Sequence, residues 1–462
     1  MISFSLADVL VVLLFFASVI FIGFYTGRKT SSQADDYLLS GRKLTLFTFV
    51  LINVSTWYGG ILGVGEFTYR YGLVSWFTQG FPYYIFAFLF GIFFAKKIRE
   101  ASLFTIPDKL TEVYGEKTGL VSAVIVFILV SPAPYFLMSA SLISLLFKIE
   151  IFPSLIITFI LSIIYLIRGG FRSNVYVDVF QFFVMFIGFI LILIFSGVEF
   201  GTINFIASSV PANHIQILGG MSPTFIIVWF LIALWTFADP GFHQRCYAAK
   251  SGSIAMKGIL VSIFFWTLFD FLTTSTGLFS KAVLPNLENP VLAFPLFAEK
   301  VLPAGIKGIF YAALFATIIS TQISFLFLSG TTIGRDFIFR IKNDVNELNL
   351  KHYTIIGLII SGSLAILLAY FIPSVIEIWY TIGSLFIPGI ILPVISAYYP
   401  KIRIEKKFIL VEMISALAMS TTWLFIRESF SSVKIINEIE PMLVGLILAF
   451  IIHFVRLLLL WK

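Results

Sequence analysis

The sequence predicts an all-α polytopic membrane protein of about 13 transmembrane helices, and three observations lead there. The chain of 462 residues is 59% hydrophobic and 12% charged, with a mean hydropathy of +1.01, whereas soluble domains carry roughly 25% charged residues. Apolar windows long enough to cross the hydrocarbon core, about 20 residues, recur along the whole chain. Lys and Arg collect in alternate gaps between those windows, as the positive-inside rule requires of a protein threaded back and forth through a bilayer.

In order, the windows cover 5–26, 44–69, 74–97, 118–147, 152–168, 174–199, 221–247, 256–280, 308–334, 353–372, 376–398, 408–426 and 439–460. With the N-terminus outside, the inner loops and tail, ending at Lys462, hold 24 of the 31 Lys and Arg. The outer side keeps Arg70, Lys148, Lys281, Lys300, Lys307, Arg427 and Lys434. The net charge of +7 thus records orientation and contact with anionic membrane lipids. No nucleic-acid partner is expected, because no basic stripe is interleaved with aromatics. The expected location is the plasma membrane, with the N-terminus outside and the C-terminus cytoplasmic. Met1–Asp8 holds no Lys or Arg, so no signal peptide is expected before the first span.

Several chemistries are excluded early. Cys246 stands alone, the four histidines are scattered, and there is no HExxH or GxxxxGK[ST]. Neither a metalloenzyme nor an ATP-driven pump is expected. No nucleophile and base recur on one face, so the chain is read as a non-enzyme with no cofactor.

Two windows carry features that ordinary spanning helices avoid. Leu46–Gly65, LFTFVLINVSTWYGGILGVG, places Asn53, Ser55 and Thr56 at mid-depth, followed by Gly59, Gly60, Gly63 and Gly65. Hydrocarbon offers no hydrogen-bond partner to a freed backbone. Such a stretch is therefore either a closely packed helix or one that unwinds and turns its carbonyls toward a cavity. The seventh window, with LWTFADPGFHQR, puts Asp239 beside Pro240 and Gly241; proline removes a backbone donor and glycine frees the geometry. Interrupted spans five helices apart point to a five-plus-five inverted repeat. The whole chain, 1–462, then reads as a single transmembrane transporter domain. Residues 1–43 form a peripheral helix and loop, 44–200 the first repeat, 201–398 the second, and 399–462 two peripheral helices.

The ninth window supplies a side-chain pattern. Thr317, Ser320, Thr321 and Ser324 follow one another at i, i+3, i+4 and i+7 and share one helical face. Uncharged hydroxyls suit a hard monovalent cation; the same residues also bond back to their own helix or bridge helices. Ionisable residues inside spans are functional candidates because they are costly there. Asp178 is placed near the inner end of its span, where solvation is cheap. Asp239 stands at a break, and Asp270, in FFWTLFDFLTTSTG, lacks a partner in its own helix and is read as facing the cavity. Glu66 and Arg70 form an i,i+4 pair, and His243 and Arg245 are read as loop anchors beyond the break.

Four stretches, DYLLSGRKL (36–44), GGFRSNVYVDVFQ (169–181), QRCYAAKSGSIAMKGI (244–259) and the STxxS run from Ser320, resemble the sodium/solute symporter family in order and spacing. The resemblance implies the five-plus-five fold and sodium as coupling ion. By position it implies a sodium site built from the carbonyls of Leu51, Val54 and Thr317 and the hydroxyls of Ser320 and Thr321. Asp178 and Ser324 match part of a second sodium site found in some members, where Ile323 replaces a hydroxyl. Solute-binding positions carry over to Trp57, Tyr58, Gln79 and Asp239, with Asp270 added from its place in the membrane. The expected function is sodium-coupled import of a small organic solute by alternating access. The alternatives are a proton-coupled carrier using Asp178, Asp239 or Asp270, or a channel, for which no filter-like sequence occurs.

Overall fold

A computed structural model describes residues 3–342, 344, 346–372, 374–430 and 439–460; Lys434 and Lys462 of the charge count lie outside them. The described elements are helical. Among the described residues, ten helices are long and apolar enough to cross a membrane, from Leu6–Gly27 to Pro441–Leu460. The bent pair Glu377–Gly389 and Ile391–Tyr398, kinked by 42°, makes a further candidate.

The difference from thirteen lies in three windows. The 44–69 window is split into Leu46–Ser55 and Ile61–Tyr71. The 152–168 window yields Ile151–Ile163, only 13 residues, which rises about 20 Å against a core of about 30 Å. The 376–398 window is the bent pair. The seventh window runs as one candidate, Pro223–Ala248, tightened over Ala233–Ala238 and extended at Asp239 (φ −67°, ψ 114°) before Pro240.

Local chemistry sets the starts of the key helices. Thr45 and Thr48 form a reciprocal cap at the head of Leu46–Ser55, satisfying donors that the first turn leaves orphaned. Asp239 caps Pro240–Ala248, its Oδ1 accepting the Phe242 N–H at 2.8 Å, with proline at the first position, where no donor is needed. Leu44 pairs with this second segment: its N–H reaches the Ala248 carbonyl at 3.1 Å, and the Lys250 N–H reaches the Leu44 carbonyl at 3.0 Å. The entry to one interrupted segment is thus pinned to the exit of the other.

Burial orders the bundle. In Ile306–Phe339, 89% of the apolar window is buried, against 28% in Lys406–Ile426 and 22% in Pro441–Leu460. The 306–331 helix is therefore the axis. The long Leu166–Phe200 and Leu6–Gly27 pack against it and against each other. Asp8 ties the first helix to its head by accepting the N–H groups of Gly305 and Gly308, each at 2.8 Å. Small residues let backbones approach where apolar attraction alone has no preference. Gly188 faces Ala313, and Gly357 lies against the Gly330 backbone so closely that a Cβ there would run into the Gly330 carbonyl.

A rigid backbone contact cannot yield as a side chain does. Gly357→Val is expected to destabilise the purified protein by about 1–3 kcal/mol, the usual overpacking cost. Gly197→Ala, whose Cβ would meet nothing within 4 Å, is expected to leave the thermal unfolding midpoint within error. Paired unfolding curves in detergent check both.

Candidate functional site

Helix Leu46–Ser55 ends because its ladder changes register. The Thr56 N–H still reaches the Ile52 carbonyl (3.3 Å), but the Trp57 N–H reaches back only three residues, to Val54 (3.2 Å). The Thr56 hydroxyl doubles onto Ile52 O at 2.6 Å. The Thr56 carbonyl is met from the axial helix by Thr321 Oγ1 at 2.8 Å. Gly59 makes this approach possible, since a Cβ there would collide with the Thr321 side chain.

Around that contact the hydroxyl stripe divides. Ser320 donates to Asp178 Oδ1 at 2.7 Å, and its oxygen lies 3.2 Å from Ser55 Oγ. Thr321 also stands 3.5 Å from the Thr317 carbonyl. The Thr317 hydroxyl turns back to the Leu314 carbonyl at 2.7 Å and so offers the junction only its own carbonyl. Asn174 Nδ2 bridges Asp178 Oδ2 (3.0 Å) and Ser324 Oγ (2.8 Å). Leu51 and Val54 lie buried in the last two turns of their helix. Asp178 was expected near cheaply solvated membrane edge; it is 1% exposed and held by serine and asparagine from two helices. Asn174, Asp178 and Gln181 repeat at i, i+4 and i+7, a polar stripe that sequence reasoning reduced to its acid alone.

Beside the junction lies a cavity of about 400 Å³, within the range of small-molecule sites. Trp57, Tyr58, Gln79, Asp239 and Asp270 all line it, and so does Thr321. Trp57 packs at 5.1 Å from Trp266, 4.9 Å from Tyr83 and 5.4 Å from Phe242, centroid to centroid. Tyr58 is fixed by its hydroxyl on the Trp266 carbonyl at 2.8 Å. Asp270 accepts from the Tyr84 hydroxyl and presses on Gly80, where a Cβ would lie 2.6 Å from Oδ2. The buried side-chain amide of Asn53, also on the wall, finds no partner among the described residues.

His243 and Arg245 are not loop anchors. Both lie in the helix Pro240–Ala248, 1% and 5% exposed. His243 Nε2 is 2.9 Å from the Phe237 carbonyl. Arg245 lines the cavity and donates to the Thr56 hydroxyl, joining the two interrupted segments. A charge amid an apolar span was legible as a candidate; that the helix resumes at once at Pro240 and carries both residues was not, because they read as loop anchors beyond the break. Glu66 and Arg70 do pair, at 2.9 Å.

The whole arrangement is a helical membrane bundle of a known kind. It superposes on a sodium-coupled sialic acid symporter with a TM-score of 0.85 at 16% identity, covering 99% of this chain and 98% of the other. A transporter of the nucleobase-cation-symport-1 family follows at 0.57 and 12% identity, covering 92% and 94%. The model of the sodium:solute symporter family matches residues 37–403, and the chain belongs to that family, whose members are transporters and not enzymes. The high-affinity choline transporter 1 of Drosophila melanogaster is 24% identical over 401 residues, 81% of this chain and 64% of that protein. This chain therefore spans just under two thirds of that relative. The sodium/pantothenate symporter of Escherichia coli K12 is 26% identical over 76% of each chain. The sodium/glucose cotransporter of Vibrio parahaemolyticus is 24% identical over 72% of this chain and 68% of its own length. With its many apolar helices, the protein is an integral membrane protein.

Arg245 is buried within electrostatic reach of Asp239 and Asp178. Arg245→Gln removes the buried guanidinium and its bond to the Thr56 hydroxyl and is expected to destabilise the fold by about 1.5–3 kcal/mol, the usual worth of a hydrogen bond to a charged group. Thermal unfolding of the purified variant measures it, with Arg42→Gln as a comparison from a more exposed pair.

Proposed function

We propose that the protein is a sodium-coupled secondary active symporter that imports a small organic solute across the plasma membrane by alternating access. In this reading the chain crosses thirteen times, N-terminus outside and C-terminus inside. Residues 44–200 and 201–398 form two inverted repeats, whose first spans are interrupted near Thr56 and Asp239. Residues 1–43 and 399–462 are peripheral. Sodium binds the carbonyls of Leu51, Val54 and Thr317 and the hydroxyls of Ser320 and Thr321. One sodium is the stoichiometry of this reading; Asp178 and Ser324 are the positions a second ion would use, where Ile323 replaces a further hydroxyl. The solute occupies the cavity among Trp57, Tyr58, Gln79, Asp239 and Asp270.

The observation that carries this reading is the contact of Thr321 Oγ1 with the Thr56 carbonyl at 2.8 Å, with Ser320 beside Ser55 at 3.2 Å. Two hydroxyls of the axial helix meet the end of the interrupted one, so an ion held there joins the halves of a potential hinge. The oxygen donors suit a hard monovalent cation. Thr321 also walls the cavity, so ion and solute favour overlapping conformations and each raises the other's affinity by the same factor. The choline, pantothenate and glucose carriers among the relatives support a small organic cargo.

The proton-coupled alternative draws on Asp178, whose bonding partners are uncharged. Proteoliposomes offered labelled choline, glucose, pantothenate and proline separate the two readings. Uptake is expected to follow an inward sodium gradient and to ignore a pH gradient at fixed potential. Losing a group that merely supports a metal ligand costs about 10–100-fold in affinity. Ser320→Ala and Thr321→Ala are therefore expected to weaken sodium-induced thermal stabilisation by at least that much. Full sodium stabilisation in the double variant, or uptake driven by protons alone, sinks the sodium site.

A further inference from the structure

The charges around the cavity do not cancel evenly. Asp239 is answered twice. Its Oδ1 takes the Phe242 N–H, and Arg245 converges on the same bare glycine: a Cβ on Gly241 would lie 2.7 Å from Arg245 Nη1 and 3.0 Å from Asp239 Oδ1. Glu440, also on the wall, pairs with Arg427 across 3.6 Å. Asp270 is different. Its hydrogen-bonded side-chain partner is the phenol hydroxyl of Tyr84, no cation pairs with it among the described residues, and it is only 9% exposed. The nearby Tyr58 hydroxyl is committed to the Trp266 carbonyl. A carboxylate in a spanning helix without a counter-charge is costly unless something else supplies one.

The walls favour the same kind of guest. Trp57, Trp76, Trp229, Trp235 and Trp379 line the cavity, five of the chain's eight tryptophans. The indole face is the strongest aromatic partner for a cation, above all for alkylated ammonium groups that shed water easily. Trp76 directs its Nε1–H to the Tyr84 hydroxyl at 3.2 Å, which in turn donates to Asp270, so one tryptophan and the carboxylate belong to one hydrogen-bonded unit. The amides of Gln79 and Asn53 on the same wall offer donors and acceptors for a polar tail.

We infer that the cavity takes a small organic cation, its ammonium or quaternary ammonium head held by Asp270 against the tryptophan wall. The inference rests on the symport reading of this same cavity and names its cargo by charge. Neutral polyols and organic anions leave Asp270 without a counter-charge and are discriminated against.

The test compares choline with its neutral isostere 3,3-dimethylbutan-1-ol, which replaces nitrogen by carbon at the same size. The purified full chain in sodium-containing nanodiscs is titrated with each while its tryptophan fluorescence is followed. Choline is expected to bind at least about tenfold more tightly than the alcohol. Asp270→Asn is expected to lower that ratio by at least about threefold by weakening choline, leaving the part owed to the indole faces, with the alcohol's affinity moving less than about twofold, as it makes no charge contact. Equal binding of the pair by the wild-type chain, stronger binding of the alcohol, or no response to choline or tetramethylammonium overturns the inference. The wild-type comparison decides even if the variant fails to fold. Replacing sodium by potassium separates the two levels. Choline binding that survives the replacement refutes sodium coupling and upholds the cation site, whereas sodium-dependent binding of glucose with none of choline does the reverse.

Discussion

A backbone that leaves the helix inside a membrane has to be met by protein, because the hydrocarbon meets nothing. At residues 55–60 this falls on the 306–331 helix. The Thr56 carbonyl is taken by Thr321, and Ser55 and Asp178 gather on Ser320. Much of the bundle follows from that constraint. The helix that serves the interruption is the most buried of the candidate spans. Its neighbours approach through glycine, at Gly59 and Gly188. The long Leu166–Phe200 helix brings Asn174 and Asp178 to complete a buried set of oxygens and amides.

The two interrupted segments form one mechanical unit. Arg245, from the helix that begins at Pro240, reaches the Thr56 hydroxyl, and Leu44 is laced to Ala248 and Lys250 by two backbone bonds. A shift of either segment is felt by the other through a charged side chain at one end and a short backbone pairing at the other. The axial helix hydrogen-bonds to the first segment through the side-chain oxygens of Ser320 and Thr321. Those contacts can open without breaking either helix, while the links between the segments are harder to release.

Much of this was legible in the residues. Hydropathy marked out the candidate spans, and the polar residues before Gly59 marked where the second window leaves the helix. The hydroxyl stripe marked the face that meets it. All five positions offered for the solute line a single cavity, because aromatic, amide and acidic side chains in a spanning segment have few other reasons to be there. What periodicity does not carry is how far a helix resumes after proline, so Arg245 reads as a loop anchor beyond the break on the inner side. Nor does it carry which of two hydroxyls on one face turns outward. Thr317 bonds only to its own preceding turn while Thr321 also reaches the Thr56 carbonyl, a choice made by the neighbouring backbone rather than by local sequence.

Thr321 touches the interrupted backbone with its oxygen and borders the cavity as well. In the proposed scheme the same side chain therefore forms part of the partition between ion and cargo. Any substitution there that makes room for a bulkier guest also disturbs the oxygen cage next door, and invites ions to slip through unaccompanied. Along this wall, taste in cargo and tightness of gearing cannot drift apart; they change together, one residue at a time.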